Sequence, residues 1–201
     1  MSQTTQPRPR ARIESLSDMI FGLALSVGAI TLVGNPPQTT GQLYSDITSF
    51  GFSFLIVIQV WMRYTRIMSV LPLETRRTIV LNTVLLFCVS IEPFLFHILN
   101  SGIEDSVSVL YAFDLGALNV ILGFFTLVLA DEERKLIAPD LIKQFRNEGI
   151  LTSLAACLFF VSVLPFFWTH YWLGIRLRYD LWIFPLVVMG IRRRLPKLRK
   201  N

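Results

Sequence analysis

Long apolar runs alternate with short polar breaks along this chain, and successive breaks differ sharply in charge. A helix needs roughly 20 mostly apolar residues to cross a bilayer. Six stretches meet or approach that length: 13–33, 47–68, 78–99, 107–130, 150–167 and 172–191. The sixth is the weakest, because Arg176, Arg178 and Asp180 interrupt its first half and 181–191 alone is too short to span. Between the fourth and fifth runs, Leu136, Ile137, Leu141, Ile142 and Phe145 fall on a helical period, which predicts an amphipathic connection over 131–147. The pattern predicts an all-α membrane protein with six transmembrane helices per subunit. No internal duplication of the kind that many transporters carry is visible.

Charge orients this plan. Of the 19 Lys and Arg residues, 17 fall on one side: Arg8, Arg10 and Arg12; Arg63, Arg66, Arg76 and Arg77; Arg134, Lys135, Lys143 and Arg146; and the six of the tail 192–201. The opposite connections, 34–46 and 100–106, hold no Lys or Arg but contain Asp46, Glu104 and Asp105. The positive-inside rule then puts both termini in the cytoplasm.

Composition agrees with a membrane protein. The 201 residues are 53% hydrophobic and 16% charged, and the mean hydropathy is +0.55. A soluble domain of this size needs more surface charge. The pI of about 9.6 follows from the one-sided charge. The basic tail is expected to touch anionic lipid headgroups and to bind no nucleic acid. The first run ends in Gly34-Asn35-Pro36-Pro37 and not in a small-x-small cleavage site, so the first helix is expected to be retained.

Chemistry is sparse. Cys88 and Cys157 both lie in apolar runs and read as small buried hydrophobes, with no disulfide or metal framework. His97 and His170 fall near non-cytoplasmic helix ends. No nucleophile-elbow or metal-ligand spacing occurs, so an enzyme is disfavoured and no metal or cofactor is expected.

The first run is the richest. Leu23, Ser26, Ile30 and Val33 recur at steps of three or four and form one stripe, with Val27 at its edge. Gly22, Ala29 and Ala24 lie off that line and would let neighbouring helices approach. Such a stripe is either a helix-packing seam or, repeated around a symmetry axis, a set of apolar rings with one hydroxyl ring at Ser26. Just before it, Ser15 and Asp18 have capping-box spacing. Asp18 is alternatively a buried acceptor for the Trp61 indole or the Asn82 amide. Further along, Gln59, Glu92, Asp114 and Asn119 are intramembrane polar groups and so functional candidates. Glu92 and Asp114 either pair with Arg176 or Arg178, or draw cations to an outer pore mouth. Asp180 can also pair with Arg176. In a secondary transporter or proton-coupled carrier, the alternative reading, Glu92 or Asp114 would titrate during transport.

The segment from Arg12 to Asp18 resembles the Arg-x-x-x-Phe-Ser-Asp signature of the transmembrane protein 175 family, the lysosomal potassium channels and their prokaryotic relatives. Arg12, Ser17 and Asp18 occupy signature positions, with Leu16 where Phe is usual and Met19 where a small residue follows. Trp61 matches a family Trp, Tyr64 stands where His is common, Leu81-Asn82 opens the third helix and Pro93-Phe94 closes it. The resemblance implies a potassium-permeable channel of a prokaryotic cell membrane, with the first helix lining the pore of a homotetramer. It further implies passive conduction of potassium and other monovalent cations. Leu23 would be the constriction, Ser26 a hydroxyl ring tied to weak potassium-over-sodium preference, and Ile30 a further apolar ring. Arg12, Ser17, Asp18, Trp61 and Asn82 would scaffold that pore.

Overall fold

The structure, a computed structural model, describes residues 9–34, 37–71, 76–100, 104–132, 136–172 and 175–184, with backbone alone at 9–12, 31–34, 100, 104–105 and 175–176. Five long helices follow one another: α1 Pro9–Gly34, α2 Thr40–Met68, α3 Arg76–Asn100, α4 Glu104–Leu129 and α5 Pro139–Val161. A one-turn helix α6, Phe166–Thr169, leads into two short strands, β1 Tyr171–Trp172 and β2 Ile175–Arg176, and a last helix α7 covers 177–184. Among the described residues, four helices are long and apolar enough to cross a membrane: Ile13–Ile30, Thr40–Met68, Arg76–Leu99 and Ser106–Leu129.

These four coincide with the first four apolar runs, and the differences elsewhere have local causes. α2 starts at Thr40, seven residues before its apolar run. Its N-cap Thr39 accepts a hydrogen bond from the Gln42 backbone N–H at 3.1 Å, while the Gln42 side chain accepts from the Gln38 N–H at 3.0 Å. One otherwise orphaned donor of the first turn is thereby used, and the chain entering the helix is tied back to it. α5 begins at Pro139 and not at 150. Extended Ala138 precedes a proline in the first turn and Asp140 beside it, both favoured at a helix start. From 139 onward the expected connection and the fifth run are therefore one helix, while Leu136 and Ile137 of the expected period lie before it. That helix stops at Val161, short of 167, because Pro165 has no N–H to return to the Val161 carbonyl.

The sixth expected span, 172–191, is corrected in its first part. β1 and β2 pair antiparallel, Tyr171 with Arg176 and Trp172 with Ile175, and the Leu177 N–H closes on the His170 carbonyl at 3.0 Å. Helix resumes only at 177. Residues 185–191 and the basic tail 192–201 lie outside the described residues. Cys88 is buried as expected, whereas Cys157 is exposed on α5.

The core runs through α3, α4 and α5, where Leu85, Leu118, Leu122, Phe125, Leu129 and Phe159 are inaccessible. α4 and α5 touch most closely. A Cβ on Gly123 would stand 2.9 Å from Ser153 Oγ, and one on Gly149 would stand 2.7 Å from the Leu127 side chain. Such glycines let helices meet backbone to backbone where lipid gives no hydrophobic driving force. On the basic side, Arg66 of α2 bonds Glu148 of α5 at 2.9 Å and lies over the Phe145 ring at 4.8 Å.

Gly123→Leu should therefore overpack the α4–α5 seam at a cost of about 1–3 kcal/mol. Gly22→Ala, with nothing within 4 Å of its new methyl, should leave the subunit's stability unchanged. Thermal melting of the detergent-purified protein, followed by size-exclusion chromatography, measures both.

Candidate functional site

α1 has two unlike faces. Ser17, Phe21, Ala24 and Gly28 are buried at steps of four, three and four, which places them in one column against α2 and α3. A methyl on Gly28 would already be in contact with Phe50 of α2 and Pro93 of α3, at 3.4 and 3.5 Å. The opposite face is left largely open by the described residues. Leu16, Met19, Leu23 and Ile30 are 53%, 69%, 62% and 64% exposed, and Gly22, Ser26 and Ala29 are exposed with them. Val27 is half-buried between the two faces. The Val33 side chain lies outside the described residues.

Ser26 Oγ donates its proton to the Gly22 carbonyl at 2.9 Å. That bond leaves the oxygen lone pairs unspent on the exposed face, where the hydroxyl acts as an acceptor.

The rotation of α1 is fixed near its basic end by polar contacts. Ser17 Oγ lies 2.8 Å from the Ile13 carbonyl and 2.6 Å from the Tyr64 hydroxyl. The Asn82 side chain reaches the same hydroxyl, and its own carbonyl oxygen has no partner. Ser17, Tyr64 and Asn82 are all buried, and the Phe21 and Tyr64 rings pack at 5.4 Å. One position further along α1, the Trp61 indole N–H donates to Asp18 at 3.1 Å in an exposed bond. The structure thus joins Asp18 to Trp61 and Ser17 to Tyr64 beside Asn82. The Arg12 side chain lies outside the described residues. Tyr64 is the member of this group that residue type alone did not single out, since its partner Ser17 is 47 positions away.

Glu92 and Asp114 are not at an exposed mouth, and among the described residues neither meets an arginine. Glu92 is fully buried and accepts from Ser53 at 2.9 Å and Tyr111 at 3.1 Å. Asp114 is 5% exposed, and neither of its oxygens has a hydrogen-bond partner, although the Cys88 thiol lies beside it. The outer-mouth expectation and the pairing with Arg178 are corrected accordingly, and the Arg176 side chain lies outside the described residues. Helix packing turned them into the α2–α3–α4 interior, where hydroxyls from distant positions serve Glu92. Arg178 meets Ser108 and lies over the Trp168 and Tyr179 rings. Asn119 is within 3.4 Å of Arg63. No group of three or more His, Cys, Asp or Glu side chains suited to a metal occurs among the described residues.

These features define a class: an integral membrane protein of apolar helices whose first helix keeps, from Leu16 to Ile30, an apolar face with one hydroxyl that the described residues leave exposed. Residues 12–93, which hold the α1 anchors and that face, match the model of the endosomal/lysosomal potassium channel TMEM175 family. A curated potassium channel of Marivirga tractuosa is 30% identical over 83 residues, 40% of this chain and 33% of that protein. The chain thus spans about a third of the curated relative's length. Two solved structures share the fold. A lysosomal potassium-selective channel TMEM175 homologue from Chamaesiphon minutus superposes with a TM-score of 0.61 at 21% identity, over 90% of this chain and 98% of that one. A variant of the potassium channel MtTMEM175, solved with a nanobody–MBP fusion, gives 0.65 at 17% identity over 96% and 94%. The chain is thus similar to the TMEM175 family in sequence over residues 12–93, and to these two structures in fold over nearly its whole length.

Tyr64→Phe removes the shared hydroxyl and should lower stability by about 1 kcal/mol. Asp18→Ala, which frees an exposed indole, should cost less in the isolated subunit. A larger loss for Asp18→Ala than for Tyr64→Phe in detergent melting would mean that Asp18 is buried by assembly.

Proposed function

We propose that this chain is one subunit of a potassium-permeable channel, with α1 of each copy lining a central pore. The observation that carries the reading is the uncovered face of α1. Leu23, Ser26 and Ile30 lie on it at helical spacing, inside the segment that matches the TMEM175 family. One subunit cannot enclose a pore with one helix face, so the reading requires an oligomer. The homotetramer is carried over from the resemblance, whereas six membrane helices per subunit rest on the apolar runs and cytoplasmic termini on the one-sided charge. The proposed setting is a prokaryotic cell membrane.

In this reading conduction is passive. Copies of Leu23 and Ile30 form apolar rings that gate by dewetting, with Val27 at the edge of the lining, while copies of Ser26 present hydroxyl oxygens between the two rings. Those oxygens face the path as acceptors, because each hydroxyl proton is already given to Gly22. Partial replacement of ion hydration there gives a modest preference for potassium over sodium, and other monovalent cations also pass. Ser17, Asp18, Trp61 and Asn82, with Tyr64, set the rotation of α1 and bind no ion. Arg12 belongs with them by signature position. A carrier cycling Glu92 or Asp114 is less well supported, since Glu92 is held between Ser53 and Tyr111 inside the subunit.

Potassium flux into proteoliposomes tests the reading: rapid channel-like flux supports it, and a silent or slowly saturating protein refutes it. Leu23→Ala should raise flux and Leu23→Trp should block it; equal flux from both and from wild type removes Leu23 from the gate. Ser26→Ala should shift the bi-ionic reversal potential toward equal sodium and potassium permeability while the oligomer elutes unchanged. An unaltered reversal potential would place ion preference elsewhere.

A further inference from the structure

Met19 is the most exposed large apolar side chain among the described residues, at 69%. Its exposure is imposed by its neighbours. Ser17 is bonded inward to Tyr64 and Asp18 to Trp61, so two consecutive residues fix the helix rotation. The next position, about 100° further round, must then turn away from the subunit. At that spacing Met19 lies within about 40° of Leu23 and about 20° of Ser26, and roughly 6 Å from Leu23 along the helix toward its first turn. Leu16, also exposed, lies about 20° from Leu23 on its other side. The five side chains Leu16, Met19, Leu23, Ser26 and Ile30 step by three and four residues along one strip.

We propose that Met19 forms a second apolar ring on the conduction path, one helical turn to the cytoplasmic side of Leu23. This inference rests on the channel reading above. Two apolar rings a turn apart lengthen the stretch from which water must be excluded, and a long, unbranched thioether reaches further toward an axis than the small side chain usual after the signature. Met19 thereby makes the mouth of this channel narrower than α1's backbone path alone would set it.

Potassium flux from proteoliposomes is measured for wild type, Met19→Leu, Met19→Ser and Met19→Trp, with oligomer size checked for each. Met19→Leu keeps an apolar side chain of similar volume and should conduct like wild type. Met19→Ser hydrates the mouth and should raise flux by about two-fold or more, and Met19→Trp should reduce it to about a tenth or less. If the Trp variant fails to assemble, the Ser variant decides alone: raised flux supports the ring, and wild-type flux overturns it. Wild-type flux from both assembled variants also overturns it, putting Met19 against lipid or a helix seam. If wild-type protein passes no potassium at all, the channel reading falls first and this inference with it.

Discussion

The hold of the subunit on one side of its first helix sets most of what this chain can do. Ser17, Phe21, Ala24 and Gly28 form a single column packed on α2 and α3, and only small or planar groups fit it closely. Because that column is one-sided, the described residues leave the far side of α1 largely open. An apolar strip exposed to lipid would need no hydroxyl and no glycine, yet Ser26 and Gly22 both lie on the exposed face. The polar contacts at Ser17 and Asp18 make this division sharp. A helix held by packing alone can roll by tens of degrees at small cost, whereas one anchored through two adjacent side chains to Tyr64 and Trp61 cannot without breaking both bonds.

The same requirement, that polar groups inside a membrane find partners within the protein, shapes the other half of the subunit differently. Glu92 sits in the middle of α3 beside a proline, and α2 and α4 each supply it with one hydroxyl. Three helices are thereby cross-linked through one carboxyl. Nearby, aromatic rings from Phe52 through Phe96 and Tyr111 to Trp182 stack at 5.3–5.7 Å, tying α2, α3 and α4 to α7. With the α4–α5 glycine seam, this makes the body against which α1 is braced. α1 makes its own contacts at its edge, not at its centre.

How much of this was legible in the sequence depends on the range of the interactions. The α1 strip is local, set by a period of 3.6 residues, and could be read directly, whereas the opposite column could not: of the small residues expected to admit neighbouring helices, Ala24 is buried but Gly22 and Ala29 are exposed. The early starts of α2 and α5 were also written locally, in Thr39 with Gln42 and in Pro139 with Asp140. Hydropathy hid them, because these first turns are polar and stand outside the apolar runs. The partners of Glu92 were not legible. A carboxylate in an apolar run suggests an arginine, but Ser53 and Tyr111 come from 39 and 19 positions away, and only helix packing selects them. The hairpin at 171–176 falls between these cases. Aromatic and β-branched residues there favour strand, but two-residue strands carry no period long enough to detect.

In the proposed channel, selectivity would not rest on a charged site along the α1 face. The exposed face of α1 between Met19 and Ile30 carries no ionisable group, and the two intramembrane carboxylates are turned into the subunit's core. Any ion moving along that face would meet aliphatic groups, one thioether and one hydroxyl already committed as an acceptor. Coulombic attraction is absent along it, so discrimination among monovalent cations would come from the cost of removing water at the apolar positions, offset in part at Ser26. That cost is lower for a larger, more weakly hydrated cation. Under the proposed function, such a path would favour potassium over sodium only modestly, and through the same side chains that would close it.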